Sequence, residues 1–177
     1  MALAKDWGFV FDKMRSGVYV VTSAYRRKPA GCTAVWISRA SFEPPLLAIN
    51  LAPGRHTMRT IEKSRRLCVN VLGESGLQLA KHFGFTSGLN TDKFQSVAYH
   101  IGASGSPILA VAIGYFDCRV VSVMPAGDHT LVLAEVIDAA VVRSEKPLVY
   151  DSQMFYTGIT QHAQAEAAKD TKRQPAA

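Results

Sequence analysis

The sequence predicts a mainly β fold, a β-barrel that carries a few helices. Segments rich in β-branched and aromatic residues outnumber the helical patterns, and tight turns join many of these segments. The helical patterns do not alternate regularly with the strands, which argues against a doubly wound α/β sheet. No GxGxxG motif follows a first strand, so we do not expect a Rossmann dinucleotide site.

Turn signals separate the predicted strands. Residues 26–29 form a polar hairpin connection, the double proline Pro44-Pro45 forces a turn, and residues 124–128 predict another turn. Residues 86–105 are rich in Gly, Ser, Thr and Asn and predict a long loop, a kind of segment that often carries function. The strands are expected at residues 18–25, 32–37, 46–51, 67–72, 107–111, 113–123 and 130–142.

Apolar spacing and capping signals predict three short helices. The first has Asp6 as its expected N-cap, and its apolar face comprises Trp7, Val10, Phe11 and Met14. The second begins near Thr57. The third begins at a capping box formed by Ser75 and Gln78, and its apolar face comprises Leu77, Ala80 and Phe83.

Length and composition indicate one globular domain with a real core. The chain has 177 residues, of which 48% are hydrophobic and 19% are charged, as is ordinary for a globular protein. We expect a single domain over residues 1–160. The remaining residues, 161–177, show no periodic apolar pattern and predict a flexible tail.

Charge and cysteine content narrow the classes of partner. The formal net charge of +6 suits anionic ligands, but the basic residues are scattered along the sequence, so we expect no nucleic acid partner. Cys32, Cys68 and Cys118 are far apart, which argues against a disulfide framework or a zinc site and fits a reducing cytoplasm. No apolar run approaches the ~20 residues that span a bilayer, and the N-terminus lacks the pattern of a secretory signal. We therefore expect no membrane association.

The segment GCTAVWISRASFEPPLLAINLA, residues 31–52, is the most informative stretch of the chain. A strand of small residues leads into a predicted loop that bears hydroxyl groups. Backbone N–H groups at the strand edge and nearby hydroxyls suit a flat ring with a polar edge. The candidate ring contacts are the backbone of Thr33, Ala34, Val35 and Trp36 and the hydroxyls of Ser38 and Ser41. Trp36 either stacks near the ring or is an ordinary core or interface residue.

A predicted helix start a few residues further along suits a phosphate. Free N–H groups and the helix dipole favour an anion at that end. Arg55 adds a charged donor and Thr57 adds a hydroxyl, while Asn50 and Leu51 just before them can offer backbone contacts. A capped helix with a solvated arginine is the simpler alternative. A ring and a phosphate at this separation suggest a flavin mononucleotide (FMN) site.

Seven short segments of the chain, including the two just described, resemble the flavin reductase-like family. The matching pieces are SGVYVVTS, the GCTAVWISRASFEPPLLAINL block, RHTMRTIEKSRRLCVNVL, LAKHFG, DKF, GDHTLVLAEV and PLVY. They occur in the expected order over residues 14–156. The resemblance implies an FMN-binding split β-barrel, usually a homodimer with the flavin near the subunit interface.

The same resemblance implies further site residues and an activity. Phe83, Gly84, Lys93 and Phe94 would lie against the cofactor. His129 would lie on the nicotinamide side of the flavin, with Asp128 orienting its ring, and Tyr156 would help to close the site. The expected reaction is hydride transfer from NADH or NADPH to FMN or FAD, with a separate monooxygenase as a potential recipient of reduced flavin.

Two other functions remain open on the sequence. An FMN-binding electron carrier, reduced by a partner protein, would share the flavin site but need no nicotinamide pocket. A split-barrel module that binds another ligand, such as haem, or that regulates transcription would need neither. Bound flavin and its response to NADH or NADPH would separate these three classes.

Overall fold

The computed structural model describes residues 8–11 and 13–156. The expected N-cap Asp6, the apolar residue Trp7 and the predicted tail over residues 161–177 lie outside this part of the chain. Residues 15–149 form one compact unit, and the described residues outside that range belong to a second, smaller unit. Among the described residues, no helix is both long enough and apolar enough to cross a membrane.

The larger unit is built on one antiparallel sheet of seven strands, in the order β2-β1-β5-β8-β9-β4-β3. The fold is therefore mainly β, as predicted. A separate two-stranded sheet consists of β6 and β7. The strands are β1 (Tyr19–Tyr25), β2 (Lys28–Ala34), β3 (Ile37–Ser41), β4 (Leu46–Leu51), β5 (Arg66–Val71), β6 (Tyr99–Ile101), β7 (Pro107–Leu109), β8 (Gly114–Ala126) and β9 (His129–Val141). The helices of this unit are α2 (His56–Ser64) and α3 (Leu77–Phe85), with a 3₁₀ turn at Glu74–Gly76.

The sheet curls because its two outermost strands follow each other in the chain. Only Val35 and Trp36 separate β2 from β3. The backbone N–H of Asn50, on β4, also donates to the Trp36 carbonyl at 3.0 Å. The two ends of the strand order must therefore lie close together, which gives the predicted barrel.

The hydrophobic core lies inside this curled sheet and beneath α2. Leu46–Leu51 alternates half-buried and buried side chains, the period expected of a strand with one face on the core. From α2, Met58 and Ile61 face the same core. The other core members are Val21, Ala34, Leu47, Ile49, Leu51, Leu67, Val69, Cys118, Val120, Val132 and Ala134.

Polar side chains on the opposite sheet face hold the β6–β7 hairpin. Thr22 Oγ1 donates to the Pro107 carbonyl, and Asn70 Oδ1 accepts from the Leu109 N–H at 2.7 Å. Asp117 Oδ2 accepts from the Ser104 N–H at 2.6 Å. Buried polar groups are tolerated when they are hydrogen-bonded, so these contacts attach the hairpin to three neighbouring strands.

Two bulges interrupt the long β8–β9 hairpin. Asp117 pairs with Asp138 but Cys118 pairs with Val136, so Ile137 is an extra residue on β9. Val120 pairs with Ala134 but Ser122 pairs with Leu133, so Val121 is an extra residue on β8. Both extra side chains are exposed, as expected for bulge residues without a partner.

Several sequence predictions were wrong in detail. Ser38 and Ser41 belong to the edge strand β3 and not to a loop, because β4 offers a free edge with which they pair. Lys28 and Pro29 belong to β2, which leaves only two residues in the β1–β2 turn. The predicted strand 32–37 breaks at Val35-Trp36.

The predicted capping box at Ser75 is also absent. Helix α3 starts after a 3₁₀ turn with Gly76 at its N-cap, without a side-chain hydrogen bond. The Ser75 N–H and hydroxyl instead donate to the Glu145 carboxylate, at 2.7 and 3.1 Å. A carboxylate from a distant segment thus replaces the local cap, whereas the predicted burial of Ala80 and Phe83 is confirmed.

The smaller unit contains two short helices, α1 (Gly8–Phe11) and α4 (Ser152–Tyr156). Asp151 Oδ1 accepts from the Gln153 N–H at 2.8 Å, which caps α4. The predicted apolar face of the first helix is exposed at each member that the structure describes: Val10, Phe11 and Met14.

Candidate functional site

The start of helix α2 is an uncapped helix N-terminus. Arg55 occupies the N-cap position in an extended conformation, without a side-chain capping bond, and its side chain is exposed. The first N–H groups of a helix have no intrahelical partner, and the helix dipole makes this end attract anions. Arg55 and the free N–H groups therefore lie at the same end of α2, close to the predicted helix start near Thr57.

Thr57 and Cys32 connect this helix start to strand β2. Thr57 is buried, and its side chain hydrogen-bonds with the Cys32 thiol. Burial raises the pKa of Cys32, and the positive charges of Lys93 and Arg55 oppose that rise. Lys93 and Arg55 therefore both lie within electrostatic reach of the same thiol.

Lys93 is a buried cation held by backbone carbonyls. Its Nζ donates to the carbonyl oxygens of Gly31, at 3.0 Å, and Phe83, at 2.8 Å. Burial lowers the pKa of Lys93. Among the described residues, no carboxylate forms an ion pair with it. Lys93 and the nearby Arg55 are therefore positive charges that a bound anion would compensate.

Aromatic rings and small residues line the neighbouring part of β2. The Phe83 and Phe94 rings meet edge to face, with centroids 5.2 Å apart. A Cβ at Gly31 would lie 2.7 Å from the Phe83 ring, so only glycine allows this close approach. Thr33 Oγ1 donates to the Ala80 carbonyl at 2.6 Å, which fixes α3 against β2 beside Gly84.

A cavity of about 430 Å³ opens beside these residues. Its size falls within the roughly 300–1,000 Å³ that small-molecule sites occupy. His56 and Lys93 contribute charged or polar groups to its wall. The rest of the wall is formed by residues 28–31, 88–92 and 94.

His129 forms a second cluster at the tip of the β8–β9 hairpin. Its Nδ1 hydrogen-bonds with Asp128 Oδ1 at 2.7 Å, and this contact lowers the pKa of Asp128. The Trp36 indole lies against the imidazole, with ring centroids 4.5 Å apart. The Trp36 carbonyl in turn accepts from the Asn50 side chain at 3.5 Å. Trp36 is 54% exposed, so it is a surface residue and not part of the core.

Most of the predicted residues thus divide into two groups. The first surrounds the start of α2 and comprises Thr33, Arg55, Thr57, Phe83, Gly84, Lys93 and Phe94. The second comprises Trp36, Asn50 and His129. Trp36 follows Thr33 by three steps along the chain, which span at most about 11 Å. Ala34 and Leu51 have buried side chains and so offer only backbone groups, while Val35 is half-buried between the two groups.

Three predicted residues are not brought into these groups. Ser38 and Ser41 pair with Ala48 and Leu46 on the sheet edge. Tyr156 ends α4, and its side chain lies outside the described part of the chain.

Sequence reasoning missed Gly31 and Cys32 as site residues. Gly31 accepts the Lys93 hydrogen bond and admits the two phenylalanines, and Cys32 contacts Thr57. A glycine at the start of the predicted strand was an available signal, because a glycine in a strand often marks a close approach of another group. Nothing local in the sequence indicated Cys32.

Comparison with known proteins identifies the class of this fold. A family model described as a flavin reductase like domain matches residues 11–158. The reductase component of a 4-nitrophenol 4-monooxygenase/4-nitrocatechol 2-monooxygenase from Rhodococcus opacus is 38% identical over 130 residues, 73% of this chain and 68% of that protein. The structure of the NADH:FAD oxidoreductase SgcE6 from Streptomyces globisporus C-1027 is similar with a TM-score of 0.77 and 28% identity, over 85% of this chain and 92% of that one.

A longer relative is the diflavin flavoprotein A 1 of Synechocystis. It is 30% identical over 145 residues, which are 81% of this chain but only 25% of that protein. The chain therefore spans about a quarter of this relative. The chain belongs to the flavin reductase family, and the predicted fold and family are confirmed.

Proposed function

We propose that the protein is an NADH- or NADPH-dependent flavin reductase that acts on FMN, with FAD as the alternative flavin. The observation that carries this proposal is the meeting of an uncapped helix N-terminus, Arg55 and the buried Lys93 beside the edge of β2. Two uncompensated cations and free N–H groups fit the phosphate of a flavin nucleotide. Gly31 has no side chain, so other groups can approach the backbone closely there. Together with the adjacent strand edge, this suits a flat ring.

In this proposal the residues of the chain bind and orient, and need not react. Arg55, Thr57 and the start of α2 hold the phosphate, while the backbone of residues 33–36 faces the polar edge of the ring. His129 faces the second substrate, with its Nδ1 occupied by Asp128 and its Nε2 left for that contact. A bound flavin supplies the ability to accept hydride from a reduced nicotinamide, and correct orientation accounts for the rate.

We also propose that the reduced flavin serves a separate monooxygenase. The similarity to a monooxygenase reductase component supports this role. The second candidate is a flavin-bearing electron carrier reduced by a partner protein. The match to a quarter of a diflavin flavoprotein favours that candidate, because there the related region is part of a much longer chain.

A homodimer is part of the same proposal. Large apolar side chains remain exposed on the single chain, among them Phe42 at 80% and Val141 at 88%. A groove of about 550 Å³ with mainly apolar walls lies at the base of the β8–β9 hairpin, beside Val141. Sedimentation analysis of the purified protein tests this assembly, and a monomer at micromolar concentration would contradict it.

The activity is tested by mixing the purified protein with FMN and NADH, or NADPH, and following the nicotinamide absorbance band. We expect oxidation of the nicotinamide that depends on added or retained flavin. Arg55→Ala should weaken FMN binding while leaving the binding of riboflavin, which has no phosphate, close to that of the wild type. Bound flavin without turnover on either nucleotide would instead support the electron carrier.

A further inference from the structure

Six exposed basic side chains form a continuous surface beside the candidate phosphate site. We call this surface the basic strip, and its members are Arg26, Arg27, Lys28, Arg59, Lys63 and Arg66. In the sequence they occur in two distant runs, which is why the charge looked scattered. The fold joins the two runs.

The contacts that join them are side-chain hydrogen bonds at one end of the sheet. Ser23 Oγ, on β1, lies 2.9 Å from Ser64 Oγ at the end of α2, and it donates to the Arg66 carbonyl at 2.8 Å. Two residues beyond Ser23, the pair Tyr25–Lys28 closes the β1–β2 turn. The basic turn therefore lies next to the C-terminal end of α2.

Helix α2 extends the strip back to the phosphate site. Arg55, Arg59 and Lys63 are spaced four residues apart, so they share one face of the helix, and all three are exposed. The opposite face is buried through Thr57, Met58, Thr60 and Ile61. At a rise of about 1.5 Å per residue, Arg59 lies about 6 Å from Arg55 along the helix axis, and Lys63 lies near the C-terminal end of the helix.

Some negative charge lies beside this strip. Glu62 is the one acidic residue on α2, and Asp92 lines the same cavity as the strip residue Lys28. The carboxylate of Glu135 is paired with Arg119, at 2.7 Å. The six strip residues together carry a formal charge of +6, and they lie beside the candidate phosphate site.

The β1–β2 turn at the end of the strip consists of two arginines, although its backbone conformation favours residues such as asparagine and glycine. Arg26 and Arg27, with φ of 51° and 62°, form a two-residue hairpin turn of the kind in which Asn-Gly is preferred. Among the described residues other than glycine, positive φ occurs only at these two and at Arg65, which borders the strip. Residues held in a disfavoured backbone conformation direct attention to function.

We propose that the basic strip steers anionic nucleotides, above all the flavin phosphate, towards the start of α2. This inference rests on the proposed function, in which a charged flavin enters from solution. A patch of one sign beside a cleft raises the local concentration of an oppositely charged ligand and increases its association rate by about tenfold or more at low salt.

The experiment measures association rates by stopped-flow quenching of flavin fluorescence. FMN carries the phosphate, and riboflavin is the uncharged probe with the same ring. The first variant is R26N/R27G, which removes two charges and installs the preferred turn residues. The second is R59Q/K63Q on α2. The matched control, K13Q/K146Q, removes two exposed charges outside the strip.

We expect both strip variants to slow FMN association about threefold or more at about 10 mM salt, where the Debye length is about 30 Å. The difference should shrink at about 0.1 M salt, and riboflavin should associate equally with all proteins. R26N/R27G should also melt at a higher temperature than the wild type, so slower association cannot arise from a damaged fold.

Equal FMN rates for the strip variants and the control would overturn the steering while leaving the proposed function intact. A matching decrease in the riboflavin rate would also overturn it. If neither flavin binds to the wild type, both the steering and the flavin site are wrong.

Discussion

The Trp36 indole lies against the His129 imidazole, with ring centroids 4.5 Å apart and an angle of 51° between the rings. Asp128 holds Nδ1 of the same imidazole. The histidine is therefore fixed on one ring face by the β2–β3 connection and at one nitrogen by the β8–β9 turn. Asp128 occupies Nδ1, and the two neighbours together set where Nε2 points.

Replacing Trp36 should disturb the second substrate more than the flavin. Under the proposed function, Trp36→Ala should raise the KM for the nicotinamide substrate about two- to tenfold, because an aromatic contact contributes about 0.5–1.5 kcal/mol. Trp36→Phe keeps a ring beside His129 and should stay close to the wild type. Steady-state kinetics and flavin titration measure both effects. An equal loss of flavin affinity would show that Trp36 contacts the flavin directly.

Gly31→Ala should destabilise the fold. The new Cβ would lie 2.7 Å from the Phe83 ring and 3.2 Å from the Phe94 ring. Overpacking of this kind costs about 1–3 kcal/mol of unfolding free energy, which urea denaturation measures.

Gly84→Ala is the matched control for that variant. Its Cβ would meet nothing closer than 3.5 Å, and Gly84 lies within helix α3. Because glycine weakens a helix interior, this change should stabilise the protein by about 0.5–1 kcal/mol. Destabilisation of equal size in both variants would contradict the assigned packing.

Lys93→Met should lower the unfolding free energy by about 1–3 kcal/mol, because the Gly31 and Phe83 carbonyls lose a buried donor. The same change should weaken FMN binding if the ammonium attracts the phosphate. Lys146→Met, at an exposed position, should change stability by less than about 0.5 kcal/mol. Urea denaturation and flavin titration give both values, and an unaffected stability would show that the two hydrogen bonds do not matter.

The contact between Glu145 and Ser75 should make stability depend on pH. The Ser75 N–H and then its hydroxyl lower the pKa of Glu145 below its usual 4.5. A carboxylate with a depressed pKa stabilises the fold above its unfolded-state pKa, and that contribution is lost as pH falls through the folded-state value.

Glu145→Gln should therefore be less stable than the wild type at about pH 7, and the difference should shrink below about pH 4. Thermal melts across this range measure it. Glu74→Gln removes an exposed neighbouring carboxylate without these two contacts and serves as the control. A difference for Glu145→Gln that stays constant with pH would exclude the hydrogen-bonded carboxylate as its cause.

The sequence was sufficient to predict the strands, helix starts and buried positions that are specified by neighbouring residues in the chain. Strand β4 follows from the double proline and the apolar run after it, and the start of α2 follows from the Arg-His-Thr run. The burial of Ala80 and Phe83 follows from helical spacing. These signals lie within a few residues of the structure they specify.

The rest depended on contacts between distant segments. Ser38 and Ser41 became an edge strand because β4 pairs with them, and Ser75 lost its local cap because Glu145 reaches it. Lys93 became buried because carbonyls of β2 and α3 accept its hydrogens. Spacing along the chain cannot show such pairings, and the basic strip was hidden for the same reason.

The two bulges of the β8–β9 hairpin cancel each other. Each strand carries one extra residue, so the pairs slide by one between the bulges and return to the original register at Ala126 and His129. Because neither extra residue has a partner, loss of Val121 or of Ile137 would close one bulge and leave all other pairs in place, including Ala126 with His129. A bulge bends its strand and increases the local twist, so each deletion would straighten the ribbon and change the direction in which its tip carries His129. Single-residue deletions at these two positions should therefore preserve the ladder while moving the tip.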